Sequence, residues 1–221
     1  MKVLITGGSS GIGFELAKVL AERGDQVFSL DIQSPQANPK GVTHIKADVS
    51  NQTSLDAGLK EVGGAIDLLV NNAGVIRRGR LFDSTSEDFD LLFRVNVRGS
   101  WLMIRQARPY LAANATILQM SSGYACNPPA NPAIYAWTKQ TVVLLLEAIQ
   151  RDYPEYQLKS TFLGPVDTPM SAVGRTEDEL KEERKIMHSV QYVTGKIVQL
   201  LETDKTRLLF DEEKWDYTLA N

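Results

Sequence analysis

The stretch TGGSSGIG, residues 6–13, decides the fold of this protein. It follows the apolar run of residues 3–5, which predicts a strand, and it leads into the helical pattern of residues 12–22. Glycines at such a turn let the backbone approach a ligand closely, and the free N–H groups of the following helix attract phosphate. The stretch lacks the Gly-Lys-Ser/Thr of a P-loop, which excludes the usual kinase or ATPase site. With its glycine spacing GxxxGxG, it indicates a turn that binds the pyrophosphate of a dinucleotide.

Short runs with strand character alternate with helical patterns along the rest of the chain. The predicted strands cover residues 3–5, 26–30, 42–45, 66–70, 115–120, 157–163 and 207–210. The predicted helices cover residues 12–22, 51–62, 88–111 with a break near Gly99, 134–151, and 177–202 with an interruption near Gly195. About six β–α repeats of this kind predict an α/β fold, a single Rossmann-type doubly wound parallel sheet with helices on both faces. We expect one domain over residues 1–221, with a substrate pocket formed by loops within residues 122–190.

Composition and charge exclude several classes of protein. With 221 residues, 43% of them hydrophobic, and a net charge of −3, the chain has the make-up of a globular domain and no basic footprint for nucleic acid. Its longest apolar run, residues 142–146, is far shorter than the roughly 20 residues of a membrane span. One cysteine and two histidines rule out a disulfide framework and argue against a metal site. We expect a cytoplasmic protein without a metal and without a nucleic-acid or membrane partner.

Asp31 ends the second predicted strand, 18 residues after Gly13. In a dinucleotide-binding fold, a carboxylate at this position accepts hydrogen bonds from the hydroxyls of the adenine ribose and repels a 2′-phosphate. The two positions best placed to receive such a phosphate hold Ser10 and Ile32, and neither side chain is basic. The pattern therefore predicts NAD as the cofactor and disfavours NADP.

Considered jointly, the motifs resemble those of the short-chain dehydrogenase/reductase family over residues 1–170. The shared positions are the glycine turn at 6–13, Asp48-Val49, the sequence NNAG at 71–74, Asn96, Ser122, and Tyr135 and Lys139 in a Tyr-x-x-x-Lys spacing. The resemblance implies a catalytic set that consists of Asn96, Ser122, Tyr135 and Lys139. It also implies a cofactor-binding set that consists of Gly7, Ser9, Ser10, Gly11, Ile12, Gly13, Asp31, Ile32, Asp48, Val49, Asn72, Ala73, Gly74, Tyr135, Lys139, Gly164, Val166 and Thr168.

Two segments differ from the family pattern. Leu163-Gly164 stands where a Pro-Gly pair usually follows the sixth strand, although Val166 and Thr168 still match positions that hold the nicotinamide amide. Residues 208–213, LLFDEE, stand in place of the family's usual glycine-rich ending. The first difference concerns the rigidity of the loop after the sixth strand. The second concerns the substrate pocket and the subunit interfaces rather than the cofactor half.

The combination of Tyr135 and Lys139 suits an alcohol–ketone reaction. Moving a hydride between a carbinol carbon and nicotinamide requires a proton transfer at the oxygen, which the phenol of Tyr135 would perform. The two residues are four apart on a predicted helix and face the same way. A cation ~4 Å from a phenolate, at an effective dielectric constant of ~20, contributes ~4 kcal/mol, so Lys139 is expected to lower the pKa of Tyr135 toward neutrality. Ser122 would hydrogen-bond the substrate oxygen, and the resemblance implies that Asn96 holds a water that links Lys139 to solvent.

Candidate substrate residues follow the NNAG motif and the active-site serine. Arg77 and Arg78 would lie near the mouth of the pocket, where guanidinium groups pair with a carboxylate in bidentate fashion. The alternative for these arginines is a solvated basic turn. The other residues expected to line the pocket are Tyr124, Cys126 and Met170. We therefore expect a small alcohol or ketone as substrate, and the arginines favour a hydroxy acid or sugar acid.

Two other functions fit the same fold. One is an NADPH-dependent carbonyl reductase, and the other is a dinucleotide-sensing protein without catalysis. A protein that only binds a dinucleotide need not keep the four catalytic residues together, so the complete set favours an oxidoreductase enzyme. The apolar helix faces at residues 101–104 and 142–146 predict a homodimer or homotetramer.

Overall fold

The computed structural model describes residues 1–221, and the apolar runs of the sequence form one eight-stranded sheet. The strands are β1 (Lys2–Thr6), β2 (Gln26–Asp31), β3 (Val42–Lys46), β4 (Ile66–Asn71), β5 (Leu111–Ser122), β6 (Gln157–Leu163), β7 (Arg207–Asp211) and β8 (Asp216–Ala220). The helices are α1 (Gly11–Glu22), α2 (Gln52–Val62), α3 (Ser86–Leu92), α4 (Ser100–Ala107), α5 (Ala133–Asp152), α6 (Pro169–Ala172), α7 (Glu177–Arg184) and α8 (Val190–Leu201). A π-helical stretch, Phe93–Gly99, joins α3 to α4. None of the helices is long and apolar enough to cross a membrane.

The order of the strands creates a crevice at one edge of the sheet. The order is β3-β2-β1-β4-β5-β6-β7-β8, and the strands from β3 to β7 are parallel. The chain moves outward from β1 to β3 and then returns to place β4 on the other side of β1. At such a reversal the loops after β1 and β4 lead to opposite faces, and ligands bind between them at the carboxyl ends of the strands. The α/β fold predicted from the sequence is confirmed.

Alternating side chains of β1 are buried on both faces of the sheet. Leu4 joins a cluster on one face that includes Leu59 of α2 and Leu102 of α4. Ile5 points to the other face and joins a second cluster with Ile197 of α8. Burying a side chain of this size contributes about 1.5–3 kcal/mol relative to exposure. Burial on both faces explains why the first strand is a continuous apolar run rather than an alternating one.

Two predicted helices differ from the structure, one in where it ends and the other in where it is interrupted. The helix predicted over residues 88–111 ends at Ala107, because Pro109 has no N–H with which to continue it. A single 3-10 turn, Arg108–Tyr110, leads from there into β5. The interruption predicted near Gly195 lies instead between α7 and α8. Ser189 caps the second of these helices, since its side chain accepts a hydrogen bond from the N–H of Tyr192 at 3.2 Å. Gly195 lies inside α8.

The prediction that residues 207–210 form the last strand is also wrong. β8 follows and pairs antiparallel with β7, so the sheet is mostly but not wholly parallel. In the connecting turn, Asp211 accepts hydrogen bonds from the N–H groups of Glu213 and Lys214 at 3.1 and 3.2 Å. Trp215 then adopts a positive φ of 51°. The turn contains no glycine, so it lacks the usual sequence signal of a hairpin.

Thr6 joins the loop after β1 to the loop after β4. Its buried hydroxyl oxygen accepts hydrogen bonds from the N–H groups of Asn72 and Ala73, each at 3.0 Å. In return, the Asn72 amide donates to the carbonyl oxygens of Thr6 and Gly7, at 2.9 and 3.0 Å. A Cβ on Gly13 would lie 2.3 Å from the Gly7 carbonyl oxygen, so only glycine fits at that position. The two loops that border the crevice are thus locked together.

Thr6→Val keeps the shape of this side chain but removes its oxygen. Two partly buried N–H groups would lose their acceptor, and an unpaired buried donor costs about 1–3 kcal/mol. We expect Thr6→Val to lower the free energy of unfolding by about 2–4 kcal/mol, measured by urea denaturation. Thr6→Ser keeps the hydroxyl and is the matched control. A Thr6→Val protein as stable as Thr6→Ser would contradict this role of the hydroxyl.

Candidate active site

A cavity of about 800 Å³ opens at the carboxyl ends of the strands, in the crevice beside β1 and β4. Every residue that the sequence predicted to bind the cofactor lines this cavity, and so does Ser122. Asn96, the remaining member of the predicted catalytic set, is buried behind the cavity wall. The structure holds no cluster of three or more His, Cys, Asp or Glu side chains that could bind a metal ion.

The glycine turn leaves the N-terminal end of α1 open toward the cavity. Gly7 and Gly11 adopt φ angles of +69° and +53°, a backbone region that strongly favours glycine. Ser10 precedes the helix, and its side chain makes no capping hydrogen bond, so the first N–H groups of α1 have no side-chain partner. Free N–H groups and the positive end of a helix dipole suit an anionic phosphate. The residues present therefore fit the pyrophosphate of a dinucleotide.

Asp31 lies at the end of β2, beside the glycine turn. One carboxylate oxygen accepts hydrogen bonds from the backbone N–H and the hydroxyl of Ser9, at 3.1 and 2.6 Å. The other oxygen accepts a hydrogen bond from the N–H of Gln33 at 3.0 Å. These bonds fix the orientation of the carboxylate on the cavity wall, next to the exposed side chain of Ile32. A negative charge at this point suits ribose hydroxyls better than a phosphate.

Asp48 and Val49 follow β3 and form another part of the cavity wall. Asp48 accepts a hydrogen bond from the N–H of Ser50 at 2.8 Å, and its own N–H donates to the hydroxyl of Ser54 at 3.0 Å. Val49 is buried against Gly99, where a Cβ would lie 3.0 Å from a methyl carbon of the valine. These contacts fix the wall on which the family resemblance places the adenine.

Ser122, Tyr135 and Lys139 meet in the same cavity. Ser122 ends β5, and its hydroxyl oxygen accepts a hydrogen bond from the N–H of Tyr124 at 3.3 Å. Tyr135 and Lys139 lie one turn apart on α5, with the lysine Nζ 5.7 Å from the centre of the tyrosine ring. The Nζ also donates to the carbonyl oxygen of Met120 at 3.1 Å. Both side chains are more than nine-tenths buried, so little water reaches either polar group.

Burial dominates the acid–base properties of this pair. It raises the pKa of Tyr135 above its ordinary value, and the nearby Arg78 opposes that rise only in part. It lowers the pKa of Lys139 to about 8. The prediction that Lys139 brings the pKa of Tyr135 toward neutrality is wrong for this structure, because the loss of hydration raises the pKa of the phenol and outweighs the opposing effect of Arg78. The phenol is therefore protonated at neutral pH, which is the form that donates a proton to a carbonyl oxygen.

Asn96 lies in the π-helical stretch and connects the NNAG loop to α5. Its Oδ1 accepts a hydrogen bond from the N–H of Val75 at 2.8 Å, and its Nδ2 donates to the Val75 carbonyl oxygen at 2.9 Å. The same Nδ2 donates to the hydroxyl of Thr138 at 3.0 Å, which in turn donates to the carbonyl oxygen of Tyr135 at 2.7 Å. The side chain of Asn96 thus holds the loop and the helix at a fixed separation. Its role in holding a water stays a prediction.

Three of the predicted substrate residues line the cavity, namely Arg78, Tyr124 and Met170. Arg77 and Cys126 do not, and their placement in the pocket was wrong. Arg77 points toward α3, where its Nε lies 3.2 Å from the Oδ1 of Asp88. Cys126 is exposed beyond the short helical turn that follows β5.

Sequence reasoning placed a pocket within residues 122–190 but did not name several of the residues that line the cavity there or in the hairpin of β7 and β8. The additional lining residues there include Arg175, Glu183, Met187, Phe210, Glu212 and Trp215. A Cβ on Gly164 would lie 2.6 Å from the ring of Phe210, which explains why a residue without a side chain follows Leu163. His188 lies outside the cavity lining and stacks on Tyr192, with 4.9 Å between the ring centres. The aromatic residues in the hairpin formed by β7 and β8 are the feature of the sequence that could have predicted these lining residues.

Comparison with known proteins gives concordant matches. Residues 1–179 match a family model described as short chain dehydrogenase. Oxidoreductase UcpA from Salmonella typhimurium is 34% identical over 185 residues, which cover 76% of this chain and 70% of that protein. The 2-(R)-hydroxypropyl-CoM dehydrogenase of Xanthobacter autotrophicus is 29% identical over 200 residues, 81% of this chain and 80% of that protein. Among solved structures, Thermoplasma acidophilum aldohexose dehydrogenase is 26% identical, with a TM-score of 0.79 over 89% of this chain and 85% of that chain.

The buried Lys139 predicts a stability that changes with pH. Its pKa of about 8 in the folded protein lies below the ordinary value of 10.5, so between these values the unfolded chain binds more protons than the folded one. The free energy of unfolding therefore rises with pH in this window. Lys139→Met removes the titrating group, so the wild-type protein should gain about 2 kcal/mol over this variant between roughly pH 7.5 and 9.5. Urea denaturation at each pH measures the difference, and a constant difference would contradict the burial of a charged ammonium.

Proposed function

The chain belongs to the short-chain dehydrogenase/reductase family, and from that premise we propose that it is an NAD-dependent oxidoreductase that interconverts a secondary alcohol and a ketone. Membership of this family makes the protein an enzyme that acts as a dehydrogenase or reductase. The observation that supports the particular reaction is the convergence of Ser122, Tyr135 and Lys139 in the cavity that also contains the glycine turn. A phenol, an ammonium and a hydroxyl together supply what a proton transfer at a carbinol oxygen requires.

The lining of the cavity suits an extended dinucleotide. The N-terminal end of α1 would hold the pyrophosphate, Asp31 the adenine ribose, and Asp48 and Val49 the adenine. Thr168 begins α6 and lies close to the glycine turn, since a Cβ on Gly11 would be 3.4 Å from its methyl carbon. Because of that contact Thr168 lies beside the glycine turn, and it would be on the path from the pyrophosphate to the nicotinamide. When bound, the nicotinamide supplies or accepts the hydride.

Tyr135 is the acid and base of the proposed reaction. Its phenol is protonated at neutral pH because burial raises its pKa, so it would give its proton to the ketone oxygen in the direction of reduction. In the direction of oxidation, the phenolate form would take the proton from the alcohol. Lys139, with its pKa of about 8, is still mostly protonated at neutral pH and stabilises the phenolate that forms when the proton leaves. Ser122 would donate its hydroxyl proton to the substrate oxygen and orient it toward the phenol.

Asn96 is a positioning residue in this scheme. Its hydrogen bonds to Val75 and Thr138 fix the position of α5 relative to the NNAG loop. Because Thr138 also bonds the carbonyl oxygen of Tyr135, they fix the position of Tyr135 in the cavity as well. A water held near Asn96 would connect Lys139 to solvent, as the family resemblance implies. The proton lost or gained by the phenol could then be exchanged without opening the site.

Asp31 supports the choice of NAD. Its carboxylate is fixed by Ser9 and Gln33, so it cannot rotate away from an incoming 2′-phosphate. The adjacent Ile32 offers no positive charge to such a phosphate. An NADPH-dependent carbonyl reductase would need a basic group here, which makes that function the weaker candidate.

Exposed apolar side chains on α4 and α5 support a homodimer or homotetramer. Trp101 and Trp137 are each 43% exposed and Leu144 is 60% exposed. Trp137 and Leu144 are seven residues apart on α5 and lie on one face of it. Most of the remaining side chains in the two predicted faces, such as Val142, are buried inside their own chain. An interface would therefore centre on the two tryptophans and the leucine.

Tyr135→Phe removes only the hydroxyl that carries the proton. General acid–base catalysis contributes about 10²–10⁴-fold, so kcat/KM should fall by about 10³-fold in both directions while the affinity for NADH stays the same. Absorbance of reduced nicotinamide measures turnover, and protein fluorescence measures NADH binding. Tyr124→Phe is the matched control, since Tyr124 lines the same cavity, and it should lose less than about tenfold. Equal losses in the two variants would contradict the role of Tyr135.

Asp31→Ala combined with Ile32→Arg should redirect the cofactor preference. The pair of changes removes a repelling carboxylate and adds a guanidinium beside the 2′ position. A charge-assisted contact contributes about 1.5–3 kcal/mol, so the ratio of kcat/KM for NADP to that for NAD should rise by about 100-fold. Asp31→Ala alone separates the loss of repulsion from the gain of attraction. A wild-type protein that prefers NADP, or an unchanged ratio in the double variant, would contradict the assignment of NAD.

A further inference from the structure

We infer that Arg78 binds a carboxylate of the substrate, so that hydroxy acids and the corresponding keto acids are preferred over neutral alcohols and ketones. This inference rests on the proposed function, because it assigns the substrate class of the same site. The observation that carries it is a half-buried guanidinium in the wall of the catalytic cavity that makes no ion pair with any carboxylate of the protein.

The main chain of a neighbouring segment holds the Arg78 side chain in place. Its Nε donates a hydrogen bond to the carbonyl oxygen of Val173 at 2.8 Å, and its Nη2 donates to the carbonyl oxygen of Ser171 at 3.3 Å. Its aliphatic stem lies along Gly174, where a Cβ would be only 3.4 Å from the Cβ and Cδ of the arginine. The guanidinium is therefore fixed in the wall, so binding an anion would cost little side-chain entropy.

Most of the hydrogen-bonding capacity of this guanidinium is unused. A guanidinium carries five N–H groups, and the two that donate to Ser171 and Val173 leave three without a protein acceptor. The free groups include both N–H groups of Nη1. A planar set of N–H donors matches the two oxygens of a carboxylate and gives a stronger contact than a lysine would.

No carboxylate lies within ion-pair distance of Arg78, although Glu183 and Glu179 attract its charge from farther away. Arg175, which lines the same cavity, pairs with Glu183 at 2.5 Å. Glu179 accepts hydrogen bonds from the N–H and hydroxyl of Thr176, at 2.8 and 3.1 Å. Burial and the repulsion of Arg175 lower the pKa of Arg78 by more than the attraction of Glu183 raises it, so its positive charge is held at a cost. A bound carboxylate would offset this cost.

Arg78 and Tyr135 are close enough to interact electrostatically. They line the same cavity, and the charge of the arginine acts on the pKa of the phenol. A substrate held by its carboxylate at Arg78 would present its hydroxyl or carbonyl group toward Tyr135 and Ser122. Acids that carry a hydroxyl or carbonyl group are therefore the substrates with which to test this arrangement.

The test compares the wild-type protein with Arg78→Met and with Arg77→Met, a matched control whose charge lies outside the cavity. The substrates are lactate, 3-hydroxybutyrate and gluconate, each beside its neutral amide. Absorbance of NADH gives kcat/KM with NAD. Calorimetric titration of each acid into the NADH-saturated protein gives binding without turnover.

We expect at least one acid to exceed its amide by about tenfold or more in kcat/KM, and Arg78→Met to abolish that preference by raising KM for the acid. Arg77→Met should leave the preference as it is. Equal turnover of acids and amides by the wild-type protein, or equal losses for both in Arg78→Met, would overturn the inference and leave the proposed function intact.

If neither class turns over, the proposed function fails, and the titration decides about Arg78. Acid binding that disappears in Arg78→Met alone supports the inference, and no acid binding to the wild-type protein overturns it.

Discussion

Four hydrogen bonds between Thr6 and Gly7 on one side and Asn72 and Ala73 on the other set the geometry on which the rest of the active cleft depends. They form where the sheet order reverses, so they bind together two loops that lead to opposite faces of the sheet. The glycine turn is fixed on one side of this connection and the NNAG loop on the other. Because Gly13 packs directly on the Gly7 carbonyl oxygen, the start of α1 is fixed by the same contact. The phosphate end of the cleft therefore has little freedom to move relative to the catalytic end.

The same connection continues to the residues that we propose to be catalytic. The NNAG loop leads into Val75, which Asn96 holds through both of its backbone polar groups, and Asn96 reaches Tyr135 through Thr138. In the part of the cavity that this scaffold positions, Tyr135 and Lys139 are more than nine-tenths buried, and neither Lys139 nor Arg78 forms an ion pair with a carboxylate. Burial works against the positive charges of Lys139 and Arg78 and against ionisation of the phenol. Anionic ligands, a pyrophosphate at one end and a carboxylate at the other, would offset that cost.

Sequence was sufficient where residues close together in the chain decide the conformation. TGGSSGIG between a strand and a helix predicts the turn, and the end of β2 predicts the place of Asp31, because both depend on local backbone geometry. The antiparallel strand β8 was missed because its turn lacks glycine. Sequence also could not tell which of the adjacent Arg77 and Arg78 faces the cavity, since the partner that holds Arg77 is on α3. The pKa of Tyr135 was misjudged because the spacing to Lys139 gives proximity but not burial.

The central claim is direct hydride exchange at a carbon, with the matching proton supplied by Tyr135. It is tested by incubating the enzyme in ordinary water with NADH that carries deuterium at the transferred position, together with a panel of short ketones and keto acids. Mass spectrometry then locates the label in the alcohol product. The account predicts one deuterium on the carbinol carbon of every product molecule. Products without deuterium, or deuterium that has been exchanged into water, would contradict it.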